Sequence, residues 1–172
     1  MADLSEQVHF SSKTDEWPTP QELFDQLHAE FGFTLDVCAT AENAKCERFF
    51  TREQDGLAQD WSQDVVWMNP PFGHQIKLWM AKAYRSSIDG ALVVCLVPAR
   101  TDTRWFHRHA LKAAEIRALD KRLRFDGAKA KAPFPAVLVV YKPGENGQCK
   151  LSAYKVPGAG GRAHEIKGGE CV

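Results

Sequence analysis

The residues with the clearest chemical potential follow a short apolar run. Residues 65–68 (V-V-W-M) lead directly into Asn69, Pro70, Pro71 and Phe72. The two prolines fix φ and remove two N–H donors. The Asn69 side-chain oxygen and the Pro70 carbonyl then remain as rigidly held acceptors, with the flat ring of Phe72 beside them. These groups predict a site for an exocyclic amino group on a planar ring.

Two fixed acceptors could activate an aryl amine for attack on an electrophile. The lone pair of such an amine is delocalised and therefore weakly nucleophilic. Hydrogen bonds from both amino protons draw the nitrogen towards tetrahedral geometry and localise the lone pair. This is catalysis by positioning and electrostatics, which requires no strong base. An amino group inside a DNA duplex would first have to be flipped out of the stack.

The elements around this stretch alternate between strands and helices. We predict strands at 33–37, 65–68, 91–97, 115–119, 136–141 and 150–156, and helices at 20–31, 76–88 and 103–113, with a helical turn at 42–46 and a short strand at 48–51 as weaker predictions. This order indicates an open, largely parallel α/β sheet. Ligands of such sheets bind beyond the carboxyl ends of the strands. Asp36 and Asn69 both follow predicted strands, so both are expected at the site.

The first helix has a well-formed start in the sequence T-P-Q-E. Thr19 is predicted as the N-cap, Pro20 as the first helical residue and Glu22 as the partner in a capping box. Gly32 follows the last apolar residue of the stripe and is predicted to end the helix. The N–H groups at such a helix start favour a carboxylate.

Length and composition favour one globular domain. We expect a polar lead-in at 1–16, one catalytic domain at 17–156 and a glycine-rich, disordered tail at 157–172. No apolar run approaches the ~20 residues of a membrane span, and the first residues are too polar for a signal peptide. The five cysteines are scattered without a C-x-x-C pair, which predicts neither disulfides nor a bound metal. A cytoplasmic protein without a membrane partner is expected; no obligate protein partner is indicated, and the oligomeric state stays open.

The zero net charge conceals a strong asymmetry along the chain. Residues 1–64 contain 14 Asp and Glu against 4 Lys and Arg, whereas residues 99–131 contain 10 Lys and Arg against 4 acids. A basic block in a neutral protein favours a polyanionic partner. Its candidate contacts with nucleic acid are Arg100, Arg104, Arg122 and Arg124. The alternative is a set of solvated or salt-bridged loop charges.

Several stretches together resemble a known family. They are W-P-T-P (17–20), L-D-V-C-A (35–39), E-N-A-K-C (42–46), D-G-L-A-Q-D-W (55–61), W-M-N-P-P-F (67–72), L-V-P-A-R-T-D-T-R-W-F (96–106), R-L-R-F (122–125) and F-P-A-V-L-V-V-Y (134–141). N-P-P-F matches the [DNS]-P-P-[FYW] motif of amino methyltransferases that use S-adenosylmethionine. The ensemble resembles the DNA N6-adenine methyltransferases of bacteriophages and prophages, often called the phage Dam family.

The resemblance implies a fold, a reaction and a set of roles. The fold would be Rossmann-like and mostly parallel, with helices on both faces and an antiparallel edge strand. The reaction would methylate the N6 amino group of a flipped adenine in double-stranded DNA, in the bacterial cytoplasm. Asn69 and Pro70 of the N-P-P-F motif, which Pro71 completes, would accept the N6 protons, and Phe72 would stack on the base. The residues implied to bind S-adenosylmethionine are Trp17, Thr19, Pro20, Asp36, Cys38, Ala39, Asp60 and Trp61.

One departure concerns the cofactor strand. Many methyltransferases follow its acid with a glycine turn, but Asp36 is followed by V-C-A-T-A-E-N. The close backbone approach that glycine allows would then fall to Ala39 or Ala41. The acid that binds the cofactor ribose stays open between Glu47, Glu53 and Asp55. For Trp61, a place in the core is the alternative to a ligand contact.

Other readings of the same motifs also stay open. Enzymes that methylate RNA adenine or a protein amide share N-P-P-[FYW], and the basic block does not separate DNA from RNA. The missing glycine turn leaves a DNA- or cofactor-binding module without activity as a further alternative. Fewer than 35 residues separate Asp36 from Asn69, so we expect a small recognition surface and a short or relaxed target sequence.

Overall fold

A computed structural model describes residues 16–157 of the chain. In this range the strands are Leu35–Asp36 (β1), Val65–Met68 (β2), Leu92–Pro98 (β3), Glu115–Leu119 (β4), Ala136–Tyr141 (β5) and Lys150–Tyr154 (β6), and the α-helices are Gln21–Phe31 (α1), Ile76–Ile88 (α2) and Arg104–Arg108 (α3). The predicted lead-in and tail lie outside the described residues except for Glu16 and Pro157. None of the helices in this range has the length and apolar character needed to cross a bilayer.

The six strands form one sheet in the order β1-β2-β3-β5-β4-β6. Only β5 is antiparallel to its neighbours, so the other five strands of this described sheet run in one direction. This confirms the Rossmann-like, mostly parallel α/β class. The antiparallel strand, however, lies between β3 and β4 and not at the edge. Every residue of β5 is buried, as expected for a continuous apolar run that is paired on both sides.

Helices cover both faces of the sheet. Trp67 on β2 is in register, through β3, with Val140 on β5, so these two side chains share a face and Tyr141 points to the other. The ring of Phe24 on α1 lies 5.8 Å from that of Trp67. The ring of Tyr84 on α2 lies 6.1 Å from that of Tyr141. Helices α1 and α2 therefore pack on opposite faces.

Several elements are shorter than predicted. Strand β1 has two residues, and the weakly predicted strand at 48–51 is reduced to a parallel bridge between Asp36 and Phe49. The helix predicted at 103–113 breaks at His109 into α3 and a 3₁₀ turn, Ala110–Lys112. The His109 carbonyl accepts a hydrogen bond from the Tyr141 hydroxyl at 2.9 Å. This contact with the core fixes the chain where a continuous helix would have to pass.

The topology brings four loops to one edge of the sheet. The chain leaves β1, β2, β3 and β4 at their carboxyl ends, and it enters the antiparallel β5 at the same edge. The segments 37–46, 69–75, 99–103 and 120–135 therefore share this edge. It is the edge at which α/β sheets bind ligands.

Candidate active site

The Asn69 amide is held by two acceptors on the segment that precedes α1. Its Nδ2 donates to the Trp17 carbonyl at 2.6 Å and to the Thr19 Oγ1 at 3.0 Å. Its Oδ1 is buried and has no hydrogen-bond partner within residues 16–157. A buried acceptor without a partner is costly unless something else supplies a donor. The side chain therefore presents a free oxygen to a donor from outside the chain.

The Asp36 carboxylate lies at the end of the neighbouring strand and is 3% exposed. It accepts hydrogen bonds from the backbone N–H of Cys38 at 3.3 Å and from that of Lys45 at 3.1 Å. Burial raises the pKa of Asp36, although these backbone hydrogen bonds partly oppose that effect. A buried carboxylate in this position can receive a cationic group.

One cleft brings the two strand ends together. It is lined by Trp17, Pro18, Thr19, Asp36, Cys38, Asn43, Lys45, Trp67 and Asn69. Five residues predicted from the sequence are in this set: Trp17, Thr19, Asp36, Cys38 and Asn69. The sequence analysis did not predict Asn43 and Lys45 as site residues. A signal for them was present, since both belong to the E-N-A-K-C stretch that carries part of the family resemblance.

The segment 120–135 closes one side of this cleft. The Asp126 N–H donates to the Pro18 carbonyl at 3.0 Å, and the Asp126 carboxylate lies 3.4 Å from Lys45 Nζ. The enclosed space is about 40 Å³, whereas small-molecule sites are typically ~300 Å³ or more. The cleft therefore has to widen before it can hold a molecule of cofactor size.

Phe72 is buried in an aromatic cluster. Its ring lies 6.1 Å from that of Phe125 and 5.6 Å from that of Phe134, and the Trp17 ring contacts the same two rings at 5.3 and 5.0 Å. Only 3% of Phe72 is exposed. A planar ligand can therefore stack on Phe72 only after Phe125 and Phe134 have moved aside.

Three further residues predicted for the site, Pro70, Pro71 and Ala39, lie outside the lining of the cleft. Pro70 is buried and Pro71 is half-buried next to the cleft. Ala39 is buried, and its N–H donates to the Phe50 carbonyl at 3.0 Å, which holds the turn after β1. Of these residues, none is among those that line the cleft.

Asp60 and Trp61 are not brought into the cleft. Trp61 is fully buried, and its indole N–H donates to the Gly56 carbonyl at 2.9 Å. Trp61 therefore belongs to the core. Asp60 is exposed and accepts hydrogen bonds from the backbone N–H and the hydroxyl of Ser62, which lower the pKa of Asp60. Its carboxylate shapes a turn, and its contact with S-adenosylmethionine stays a prediction.

The start of α1 differs from the predicted capping box. The helix begins at Gln21 with Pro20 as the N-cap, and no side chain caps it. The Pro20 carbonyl accepts the N–H groups of Leu23 and Phe24, each at 3.1 Å. The Thr19 hydroxyl is instead bonded to Asn69, so it is not available for capping. Gly32 ends the helix in the left-handed conformation, φ +69°, as predicted.

A glycine does approach the cofactor strand closely, but it comes from another segment. A Cβ atom on Gly56 would overlap with the backbone carbonyl oxygen of Val37 and would lie 3.2 Å from the Trp79 ring. Gly56 therefore packs closely against the chain that follows β1, and the close approach to the cofactor expected from Ala39 or Ala41 stays a prediction. Gly56 belongs to the D-G-L-A-Q-D-W stretch, and no pattern in that stretch indicates this contact.

The predicted nucleic-acid contacts lie at the carboxyl edge, but their environments differ. Arg100, Arg104 and Arg124 are exposed, and none of their guanidinium groups has a hydrogen bond or ion pair with another described residue. Arg122 donates to the carbonyls of Ala132 and Pro133 and thus closes the base of the 120–135 segment. Arg122 therefore holds a loop together in addition to carrying charge.

One member of the basic block has a different role. Arg117 pairs with Glu30 at 2.6 Å and with Glu115 at 3.1 Å, and its guanidinium lies over the rings of Phe31 and Tyr154. Arg117 connects α1 to β4, and its charge is already paired with two glutamates, so it is a poor contact for a polyanion. The block is therefore not one continuous basic surface.

Comparisons with known proteins point to one family. A family model described as DNA N-6-adenine-methyltransferase (Dam) matches residues 7–154. A DNA N-6-adenine-methyltransferase of Haemophilus phage HP1 (strain HP1c1) is 34% identical over 107 residues, or 61% of this chain and 62% of that protein. One of Escherichia phage T1 is 34% identical over 104 residues, or 59% of this chain and 43% of that protein. The chain thus spans about three fifths of the first relative's length and two fifths of the second's.

Proposed function

This chain belongs to the DNA N-6-adenine-methyltransferase (Dam) family, and we propose that it transfers a methyl group from S-adenosylmethionine to the N6 amino group of an adenine flipped out of double-stranded DNA. The observation that carries the proposal is the buried, unpartnered Oδ1 of Asn69 at the carboxyl end of β2. Both phage relatives are named for this activity. The reaction would take place in the bacterial cytoplasm.

In this mechanism the chain positions the amino group and accepts its protons. Asn69 Oδ1 takes one N6 hydrogen bond and the Pro70 carbonyl takes the other, which localises the nitrogen lone pair. S-adenosylmethionine, when bound, supplies a methyl group on a positively charged sulfur. The N6–C bond forms as the S–C bond breaks, and the extra N6 proton then leaves to solvent. No residue needs to act as a strong base, so the acceptors contribute by geometry and electrostatics.

The cleft fits the polar end of this cofactor. The Asp36 carboxylate can accept from its ammonium group, and the cleft reaches Asn69, where the methyl group is needed. The residues of the cleft therefore suit the cofactor. Because the volume of the cleft is small, the cleft must open when the cofactor binds. Phe125 and Phe134 must also leave Phe72 before a base can stack there. We propose that both changes involve the 120–135 segment, which supplies both of these rings.

Asp36 should make cofactor binding sensitive to acid. An exposed aspartate has a pKa of about 3.9. Because burial raises the pKa of Asp36, its carboxylate takes up a proton at a higher pH than an exposed aspartate does. The affinity for S-adenosylmethionine should fall as the pH is lowered through that range. Asp36→Asn should weaken binding by roughly tenfold or more, the value of a hydrogen bond to a charged group, and should reduce the acid sensitivity.

Calorimetric titrations at several pH values would measure this effect. The matched control is Asp89→Asn, an exposed aspartate at the end of α2, which should bind as the unaltered protein does. Equal affinity of Asp36→Asn and the unaltered protein at every pH would exclude Asp36 as a cofactor ligand.

The exposed arginines at the carboxyl edge should give DNA binding a strong salt dependence. Each phosphate contact that is lost reduces the slope of log affinity against log salt by about one. Arg100→Ala and Arg104→Ala should each show such a reduction in fluorescence-anisotropy titrations with duplex DNA. Arg85→Ala is the control, because this exposed residue lies in the last turn of α2, towards the opposite edge. If the slope of log affinity against log salt were unchanged in both Arg100→Ala and Arg104→Ala, this surface would not be part of the DNA interface.

The reaction itself is tested by identifying its product. The protein is incubated with methyl-labelled S-adenosylmethionine and duplex DNA, and the nucleosides are then analysed by mass spectrometry. N6-methyladenine is the expected product. Parallel reactions with duplex RNA and with a glutamine-containing peptide test the two related substrate classes. Labelling of either in preference to DNA would overturn the proposed substrate.

A further inference from the structure

We infer that the Trp17 carbonyl and the Thr19 hydroxyl form a clamp that sets the orientation of the Asn69 amide and makes Asn, not Asp, the working residue at this position. The inference rests on the proposed function, and it assigns Thr19 as a positioning residue for the reaction. The family resemblance implies only a contact with the cofactor for Trp17 and Thr19.

The two ends of the Asn69 amide have different environments. The Trp17 carbonyl can only accept a hydrogen bond, so the Asn69 atom 2.6 Å away must be the NH₂ group. The Thr19 Oγ1 accepts from the same nitrogen at 3.0 Å. With both N–H bonds in use, Oδ1 is turned away from the clamp and is left as an acceptor. This is the orientation that an incoming amino group requires.

The position of Thr19 supports a dedicated role. The residue is 3% exposed, and its hydroxyl is bonded to Asn69 instead of capping α1, which has no side-chain cap. Trp17 is held in place by ring contacts with Phe125 and Phe134. Both parts of the clamp are therefore held in packed surroundings, Trp17 by aromatic rings and Thr19 by burial.

The clamp also discriminates between asparagine and aspartate. The wider motif allows either residue, but an ionised Asp at this position would place a carboxylate oxygen against the lone pairs of the Trp17 carbonyl. Protonation would remove this conflict, because the acid hydroxyl could donate to that carbonyl. Asp36, Lys45 and Cys38 line the same cleft. The influence of their protonation on the reaction rate therefore has to be separated from that of the carboxyl group in Asn69→Asp.

The first test compares three threonine variants of the full chain. Thr19→Val removes the hydroxyl at nearly constant volume and should lower kcat by roughly tenfold to 100-fold, with a smaller effect on KM. Thr19→Ser restores the hydroxyl and should recover most of the lost rate. Thr34→Val is the control; it also removes a hydrogen-bonded hydroxyl, here one bonded to Asp64 and Val65, but it lies at the amino end of β1. Thr19→Val with the kcat of the unaltered protein would overturn the clamp.

A second measurement does not depend on catalysis. The side-chain NH₂ of Asn69 should exchange its protons slowly in NMR spectra of the unaltered protein and Thr19→Ser, and faster in Thr19→Val. If the unaltered protein does not methylate DNA, the proposed function fails, but this comparison still decides the clamp. Equal exchange rates in all three proteins would overturn it.

The aspartate variant supplies a pH signature. The rate of Asn69→Asp, divided by that of the unaltered protein at the same pH, should be low at neutral pH and rise as the pH falls. Division by the unaltered rate cancels the titration of the other cleft groups. A ratio near one at neutral pH would show that the clamp does not discriminate between the two side chains.

Discussion

Asn69→Ala should abolish methyl transfer while leaving the affinity for S-adenosylmethionine nearly unchanged. The substitution removes the one buried side-chain acceptor in the cleft that has no partner among the described residues. The loss of a single preorganised hydrogen-bonding group of this kind costs about 10²–10³-fold in kcat in other enzymes. We expect at least that loss here, because the amine depends on two acceptors and no base substitutes for them.

The measurement is a single-turnover assay with labelled cofactor, paired with calorimetry of cofactor binding. Asn146→Ala is the matched control: its side chain donates to Ser87 at 2.8 Å and accepts from the Lys142 N–H at 3.1 Å, outside the candidate site. The control should lose some stability but retain its rate. An active Asn69→Ala would show that the Asn69 acceptor is not needed, and the mechanism would then be wrong.

Much of the sheet could be predicted from the sequence because its strands are local apolar runs with clear ends. The predicted strands at 65–68, 115–119 and 136–141 have the observed bounds. The placement of Asp36 and Asn69 at one edge follows from the same pattern, since parallel strands end on the same side. The interior position of β5 could not be predicted in this way, because an apolar run shows burial but does not identify the neighbours of a strand.

The site contains contacts that no local pattern encodes. The Thr19 hydroxyl is an ordinary helix cap in sequence terms, and its partner lies 50 residues away. Phe72 has the residue type that stacks on bases, but its burial under Phe125 and Phe134 depends on how the 120–135 segment folds back. Sequence reasoning selected the candidate groups, and tertiary packing decides which of their faces are free.

Gly56→Ala should destabilise the protein more than Gly144→Ala does. The new Cβ would overlap with the Val37 carbonyl oxygen and would lie 3.2 Å from the Trp79 ring. Neither neighbour can give way easily, because Val37 follows β1 directly and the buried Trp79 stacks on Trp61. Overpacking of this kind costs about 1–3 kcal/mol and at times more, so we expect a loss of about 3 kcal/mol in the free energy of unfolding.

The same substitution should also impair the site, because Val37 directly follows Asp36. A displaced Val37 carbonyl would move the Asp36 carboxylate relative to Asn69, so cofactor affinity should fall even in the fraction of molecules that remains folded. Gly144→Ala is the control. Gly144, unlike Gly56, has a left-handed φ, +77°. A Cβ there would meet no atom within 4 Å, so only the backbone cost of about 1–2 kcal/mol applies.

Denaturant unfolding of both variants, followed by cofactor titration, separates the two causes. Equal stability of Gly56→Ala and Gly144→Ala would show that the Val37 carbonyl moves freely and that Gly56 has no special place. A destabilised Gly56→Ala with unaltered cofactor affinity would confine the glycine to a packing role. We expect Gly56→Ala to lose both stability and cofactor affinity. The close approach of Gly56 to Val37 affects both the packing around Trp61 and the strand end that bears Asp36.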